Sequence, residues 1–77
     1  MFIEIISPEE TLFSGEAKSI KLPGTGGTFE VLENHAPLIS TLDAGQIRIR
    51  KTSGEDQTFN ISHGFVEVLK NKVSVLV

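Results

Sequence analysis

Cysteine is absent from the 77-residue chain, which excludes a disulfide framework, thiol catalysis, a cysteine-bound zinc and an iron–sulfur cluster. A surplus of positive charge is absent too: seven Lys and Arg stand against ten Asp and Glu, a formal net charge of −3. That balance works against a polyanion as the main partner, so nucleic acid is not expected. No apolar run nears the roughly 20 residues that a membrane-spanning helix needs. The longest, Phe65 to Leu69, is broken by Glu67. Met1 to Pro8 carry neither a basic leader nor a small-residue cleavage site, and are expected to belong to the fold rather than to a signal peptide. Apolar residues at helical spacing are missing throughout.

What is present is an ordinary globular composition, 39% hydrophobic and 22% charged with seven Gly and three Pro, in a length that supports one core. A lone core of this size leaves only about 3–5 kcal/mol of net stability, so docking on a larger partner is a natural source of more. The apolar residues alternate with period two. Ile3 and Ile5 sit between Phe2, Glu4 and Ile6; Ile20 and Leu22 flank Lys21; Phe29 and Val31 flank Glu30. Ile47 and Ile49, Phe59 and Ile61, and Val73, Val75 and Val77 repeat the pattern. Each run predicts a half-buried strand. Turn signals fall at Ser14-Gly15, Pro23-Gly24, Gly26-Gly27, Asn34 to Pro37, Ala44-Gly45, Ser53-Gly54, His63-Gly64 and Asn71. Many short strands between such marks predict an all-β chain, a flattened sandwich or barrel of mostly antiparallel strands. Ser7-Pro8-Glu9-Glu10 matches a helix capping box. The run after it, Thr11 to Gly15, carries no apolar stripe, and a turn or short irregular strand is expected there.

Catalytic patterns are thin. Gly24-Thr25-Gly26-Gly27-Thr28-Phe29 lacks the Lys-Ser/Thr pair and the following helix of a phosphate cradle, and reads as a flexible loop. His35 and His63 are 28 positions apart, and neither belongs to a His-x-His or His-x3-His pair, so no metal site is expected. Glu30 and Glu33 fall on opposite faces of an extended chain and are expected to be solvated. The sequon Asn60-Ile61-Ser62 lies within a strand, where glycosylation is not expected. Neither an enzyme site nor a cofactor is expected.

The stretch that departs from a generic sandwich is Glu33-Asn34-His35-Ala36-Pro37-Leu38-Ile39. Pro37 removes a donor and forces Ala36 into an extended conformation, so this cannot be an ordinary central strand. His35-Ala36-Pro37-Leu38, a spacer ending at Gly45, and Ile47-Arg48-Ile49 resemble the epsilon subunit of F-type ATP synthases. Ile6-Ser7-Pro8-Glu9 with Leu12-Phe13-Ser14-Gly15, the Gly26-Gly27 pair, and Ser62-His63-Gly64-Phe65-Val66-Glu67-Val68 extend the resemblance, in family order, over essentially the whole chain.

The resemblance implies a ten-stranded flattened β-sandwich over residues 1–77. Many members of that family continue into a C-terminal two-helix hairpin; this sequence stops at Val77, and no such helical domain is expected in it. Its implied role is a non-catalytic rotor part that docks the foot of the gamma subunit onto the membrane c-ring, coupling ion-driven rotation to ATP synthesis. It implies a gamma-facing set at Ser7, His35, Leu38, Ser40, Gln46 and Ser62. It also implies a loop facing the polar loops of the ring: Gly24, Thr25, Gly26, Gly27, Thr28, Phe29 and Glu30. Exposed hydroxyls at Ser7, Ser40 and Ser62 would admit a close backbone, and Phe29, Leu38 and Ile39 would add apolar contact. The implied location is peripheral, on the cytoplasmic side of a bacterial inner membrane. Two positions differ from the common family pattern: Glu33-Asn34 stands where Pro-Gly or Pro-Asn is usual, and His63 replaces a glycine. The competing reading is a lipoyl- or biotinyl-type carrier domain, with Lys70-Asn71-Lys72 as the modified hairpin tip. The flanking residues match neither an Asp-Lys nor a Met-Lys-Met context.

Overall fold

A computed structural model describes all 77 residues. The chain forms eight strands and no helix: β1 (Phe2–Ile6), β2 (Thr11–Gly24), β3 (Gly27–Leu32), β4 (Leu38–Leu42), β5 (Gly45–Lys51), β6 (Asp56–Ile61), β7 (Gly64–Leu69) and β8 (Lys72–Leu76). The all-β expectation holds, but the count is eight rather than ten. One reason lies in β2, which runs unbroken for 14 residues through both Ser14-Gly15 and Pro23-Gly24. Paired partners on its flanks override the local turn signals.

β2 serves two layers. Its first half pairs antiparallel with β1, from Phe2 opposite Glu16 to Ile6 opposite Thr11. Its second half pairs with β3 and β5. Between the halves the register against β5 slips, Ala17 facing Lys51 and Ser19 facing Arg50, which leaves Lys18 as a bulge. Such an extra residue bends a strand and shifts its phase. The buried set reads Ala17 and Ser19, then Ile20 and Leu22, so both halves face one core.

β1 and β8 run parallel, β8 pairs with β7 and β7 with β4. Gly24 opposite Leu42 joins β4 back to β2. The circuit β1-β8-β7-β4-β2 is therefore closed, with β3, β5 and β6 forming the second layer on β2. Fourteen apolar residues fill the space between, among them Ile3, Ile5, Ile20, Leu22, Ile47, Ile49, Val66, Val68, Val73 and Val75. No buried side-chain polar atom lacks a partner. Phe13 and Phe59 meet edge to face, centroids 6.3 Å apart, packed against that core.

The Ser7–Glu10 segment is a turn rather than a helix start. The Ser7 amide donates to Glu10 O at 2.8 Å, and the Ser7 hydroxyl bonds both Glu10 O at 3.1 Å and the Glu10 amide at 3.2 Å. The same side chain that could cap a helix closes a loop once β1 and β2 hold its two ends.

Candidate functional site

The glycine-rich segment is an ordered hairpin, not a flexible loop. Gly24 closes β2, Thr25-Gly26 form the turn, and Gly27, Thr28, Phe29 and Glu30 already belong to β3. Glycine is required at two points. Gly27 has φ +130°, and a Cβ on Gly24 would sit 2.7 Å from the Gly27 carbonyl oxygen and 2.8 Å from the Phe29 ring. The tip is fastened to β4: the Thr25 amide donates to Thr41 O at 3.2 Å, and the two threonine hydroxyls lie 3.0 Å apart.

Beside this hairpin runs a groove of about 450 Å³ lined by Gly24, Gly26, Gly27, Thr28, Phe29, His35, Leu38 and Ser40. Three of the six gamma-facing residues implied by the resemblance, His35, Leu38 and Ser40, thus share a groove with most of the implied ring-facing segment. The other three gather at the end of the sandwich where β1 finishes and β5 and β7 begin: Ser7 after Ile6, Gln46 opposite Asn60, and Ser62 just before Gly64. Val77 links Ile6 and Gly64 at this end, its amide donating to Ile6 O at 2.9 Å while Gly64 lies against its side chain. Only Ser62 and Gln46 are exposed; Ser7, His35, Leu38 and Ser40 are half-buried. The expectation of an exposed hydroxyl therefore holds for Ser62 alone. The Ser7 hydroxyl is used within its own turn, and the Ser40 hydroxyl donates to Thr41 O at 3.0 Å. Phe29 and Leu38 pack on the core, which leaves Ile39, 65% exposed, as the protruding apolar residue of that trio.

His35 is placed by a polar clasp that its neighbours build. Asn34 takes the left-handed conformation at φ 62°, and its amide donates to Asn71 Oδ1 at 2.8 Å. Asn71 Nδ2 donates in turn to Glu33 Oε2 at 2.9 Å, and the other Glu33 oxygen pairs with the Met1 ammonium. The ammonium holds the Glu33 carboxyl below its usual range, helped by Asn71, and is itself pushed up by Glu33. Glu33 is exposed, as the sequence suggested, but it is not free: both its oxygens are engaged. It ties the His35 segment to the β7–β8 turn. That turn is the Lys70-Asn71 tip of the carrier reading, both residues at positive φ, and its asparagine is engaged in the clasp.

A broader surface was missed from sequence. On the outer side of β4, β7, β8 and β1, away from the buried valines and isoleucines, lie Ile39, Phe65, Leu69 and Leu76, exposed by 65, 39, 48 and 53%. Phe2 and Ile6 continue the same face, half-buried. Phe65 stands opposite Leu76, and Leu76 opposite Ile6. The signal was available: β1 and β7 are apolar on both parities, which a strand with one wet face would not need.

The chain is thus an all-β sandwich whose surface features are grooves and rows of exposed apolar side chains. Residues 1–77 match the family model for the ATP synthase delta/epsilon chain, β-sandwich domain, and the chain belongs to that family. It is 40% identical over 74 residues to an ATP synthase epsilon chain of Chlorobaculum tepidum, covering 96% of this chain and 84% of that one. It is 42% identical to that of Dichelobacter nodosus and 45% identical to that of Leptospira borgpetersenii, again over 96% of this chain, but spans only 52% and 58% of those proteins. Two solved structures share the fold. A chain of the Euglena gracilis mitochondrial ATP synthase, in an OSCP/F1/c-ring assembly, superposes with a TM-score of 0.91 at 21% identity, covering 97% of this chain and 48% of that one. A chain of the Tetrahymena thermophila mitochondrial ATP synthase central stalk and c-ring superposes with 0.87 at 17% identity, covering 100% and 62%.

Proposed function

We propose that this sandwich is a non-catalytic rotor module of an F-type ATP synthase, one rigid unit over residues 1–77 that joins the foot of the gamma subunit to the polar loops of the c-ring and so couples ion-driven rotation to ATP synthesis. It works without a cofactor of its own, peripheral to the membrane, on the cytoplasmic side of the bacterial inner membrane. The observation that carries the reading is the exposed apolar face of Ile39, Phe65, Leu69 and Leu76 on a domain of this family. Gamma lies across that face and reaches its margins at Ser7, His35, Leu38, Ser40, Gln46 and Ser62. The ring-facing element is the hairpin Gly24, Thr25, Gly26, Gly27, Thr28, Phe29 and Glu30, whose tip is held rigid by Thr41. Torque passes through such a module only if it does not yield, and the closed strand circuit with its dry core supplies that stiffness.

A stable interface would bury about 1,200–2,000 Å² in total. Calorimetric titration of the chain with purified gamma subunit is expected to show association, and Ser62→Arg should weaken it while leaving thermal stability nearly unchanged. No heat of binding at tens of micromolar would overturn the reading. An arginine at 62 that binds as well as serine would remove that margin from the interface.

A further inference from the structure

Three polar residues of the outer face form a row among its apolar side chains. Ser74 on β8 stands directly opposite Glu4 on β1 and directly opposite Glu67 on β7. Ile39 on β4 extends the row beyond Glu67, and Ser14 on β2 extends it beyond Glu4. Two strand spacings of about 4.8 Å put the two glutamate Cα atoms about 10 Å apart, with only a serine between them. One neighbouring row is apolar, Ile6, Leu76 and Phe65. The other holds Phe2, Lys72 and Leu69. Neither Glu4 nor Glu67 takes part in any ion pair or side-chain hydrogen bond of the chain, although Glu16, Glu33 and Asp56 all do. Lys72, the cation in the adjoining row, sits 6.0 Å from the centre of the Phe2 ring instead. Glu67 also lines a shallow apolar groove of about 310 Å³ with Pro37, Leu38, Ile39, Val68 and Leu69.

The charge pattern selects the occupant. A second copy docked face to face with its two-fold axis at Ser74 would set these carboxylates against an identical pair, and an anionic lipid surface would meet them with like charge; both arrangements are repulsive. A partner segment with a lysine or arginine framed by apolar side chains satisfies the whole face. The cation enters the notch over Ser74 between the two carboxylates, and the apolar neighbours cover Phe65, Leu69, Leu76 and Ile39. We infer that Glu4 and Glu67 are the charge-reading residues of the gamma-docking face, and that the gamma segment they receive carries at least one basic side chain at its centre. This rests on the docking reading above. Shielding by the flanking apolar side chains strengthens such a pair relative to one in open water.

The test titrates gamma subunit with the wild-type chain, with the double variant Glu4→Gln and Glu67→Gln, and with Glu55→Gln as a control, at low and high salt. Glutamine keeps shape and polarity, and circular dichroism checks that each variant is folded. The double variant should bind at least about tenfold more weakly and should lose most of the salt dependence of the wild type, while Glu55→Gln, in the connection between β5 and β6 of the other layer, matches the wild type. Equal affinity and equal salt dependence in the double variant would overturn this inference and leave gamma docking standing. Concentration-dependent self-association of the wild type that the double variant abolishes would overturn it in favour of a second copy. Failure of the wild type to bind would overturn the docking reading and this inference together.

Discussion

Asp56 and Glu67 are both carboxylates on the outer side of strands, yet their surroundings differ. Asp56 receives a two-pronged contact from Arg50, Nε to Oδ1 at 2.9 Å and Nη2 to Oδ2 at 3.2 Å, with Arg48 Nε at 4.0 Å. The guanidinium of Arg50 holds the Asp56 carboxyl below its ordinary value. A carboxyl with a lowered folded-state pKa binds its proton more readily in the unfolded chain. Its contribution to stability is therefore present above the unfolded pKa and lost as pH falls through the folded one. Denaturant midpoints measured from pH 6 downward should fall as the medium passes below about pH 4, and Asp56→Asn should show a shallower fall over that window. An unaltered acid profile in Asp56→Asn would mean that this pair contributes nothing to folding. The contrast with Glu67 is one of use: Asp56 finds its cation within the chain, and Glu67 does not.

At the scale of elements, the β7–β8 turn has two duties that substitution can separate. Lys70 and Asn71 at φ 50° and 61° form the two-residue turn whose twist suits a hairpin, and glycine is well suited to such positions. Asn71 also ties down Asn34 and Glu33. Asn71→Gly should keep the hairpin and release the segment ahead of His35, while Asn71→Ala should lose both and cost about 1–2 kcal/mol. Amide hydrogen exchange reads the difference: the Asn34 amide should exchange faster in both variants, and the Val73 amide faster only in Asn71→Ala. Period-two alternation was enough to read the strands, because each buries one face and the burial follows the pleat. The unity of β2 was not legible, since Ser14-Gly15 and Pro23-Gly24 carry local turn chemistry and only distant partners keep the strand continuous through them. The Glu33 clasp was hidden for the same reason: its members are 38 positions apart in Glu33 and Asn71, and no local pattern joins them. Of the surface, the chain's own letters marked a turn at Gly26-Gly27 and the unusual Pro37 segment, but the glycine stretch read as a flexible loop because its fastening to Thr41 lies 16 positions from Thr25. The glutamate row depends on a parallel pairing between the first and last strands, a long-range register that no window of sequence contains.

For the whole molecule, size sets the terms. A core of 14 buried apolar residues in a 77-residue chain yields only about 3–5 kcal/mol of net stability. Ile49 is fully buried on β5, opposite Ile20. Truncating it to alanine removes about 2–5 kcal/mol, comparable with all that the chain has, so Ile49→Ala should be largely unfolded alone by circular dichroism. A partner that binds only the folded form returns stability in proportion to the logarithm of its concentration, about 2.7 kcal/mol at a hundredfold excess over Kd. Because Ile49 lies in the core and not on the face of Phe65, Leu69 and Leu76, its loss should leave the docking surface chemically intact. Saturating gamma subunit should then restore the strand signal of Ile49→Ala, after subtraction of gamma alone, to near the wild-type level. If the variant stays unfolded in the presence of gamma that the wild type binds tightly, the deficit exceeds what docking supplies, and the sandwich must be held mainly by its own core.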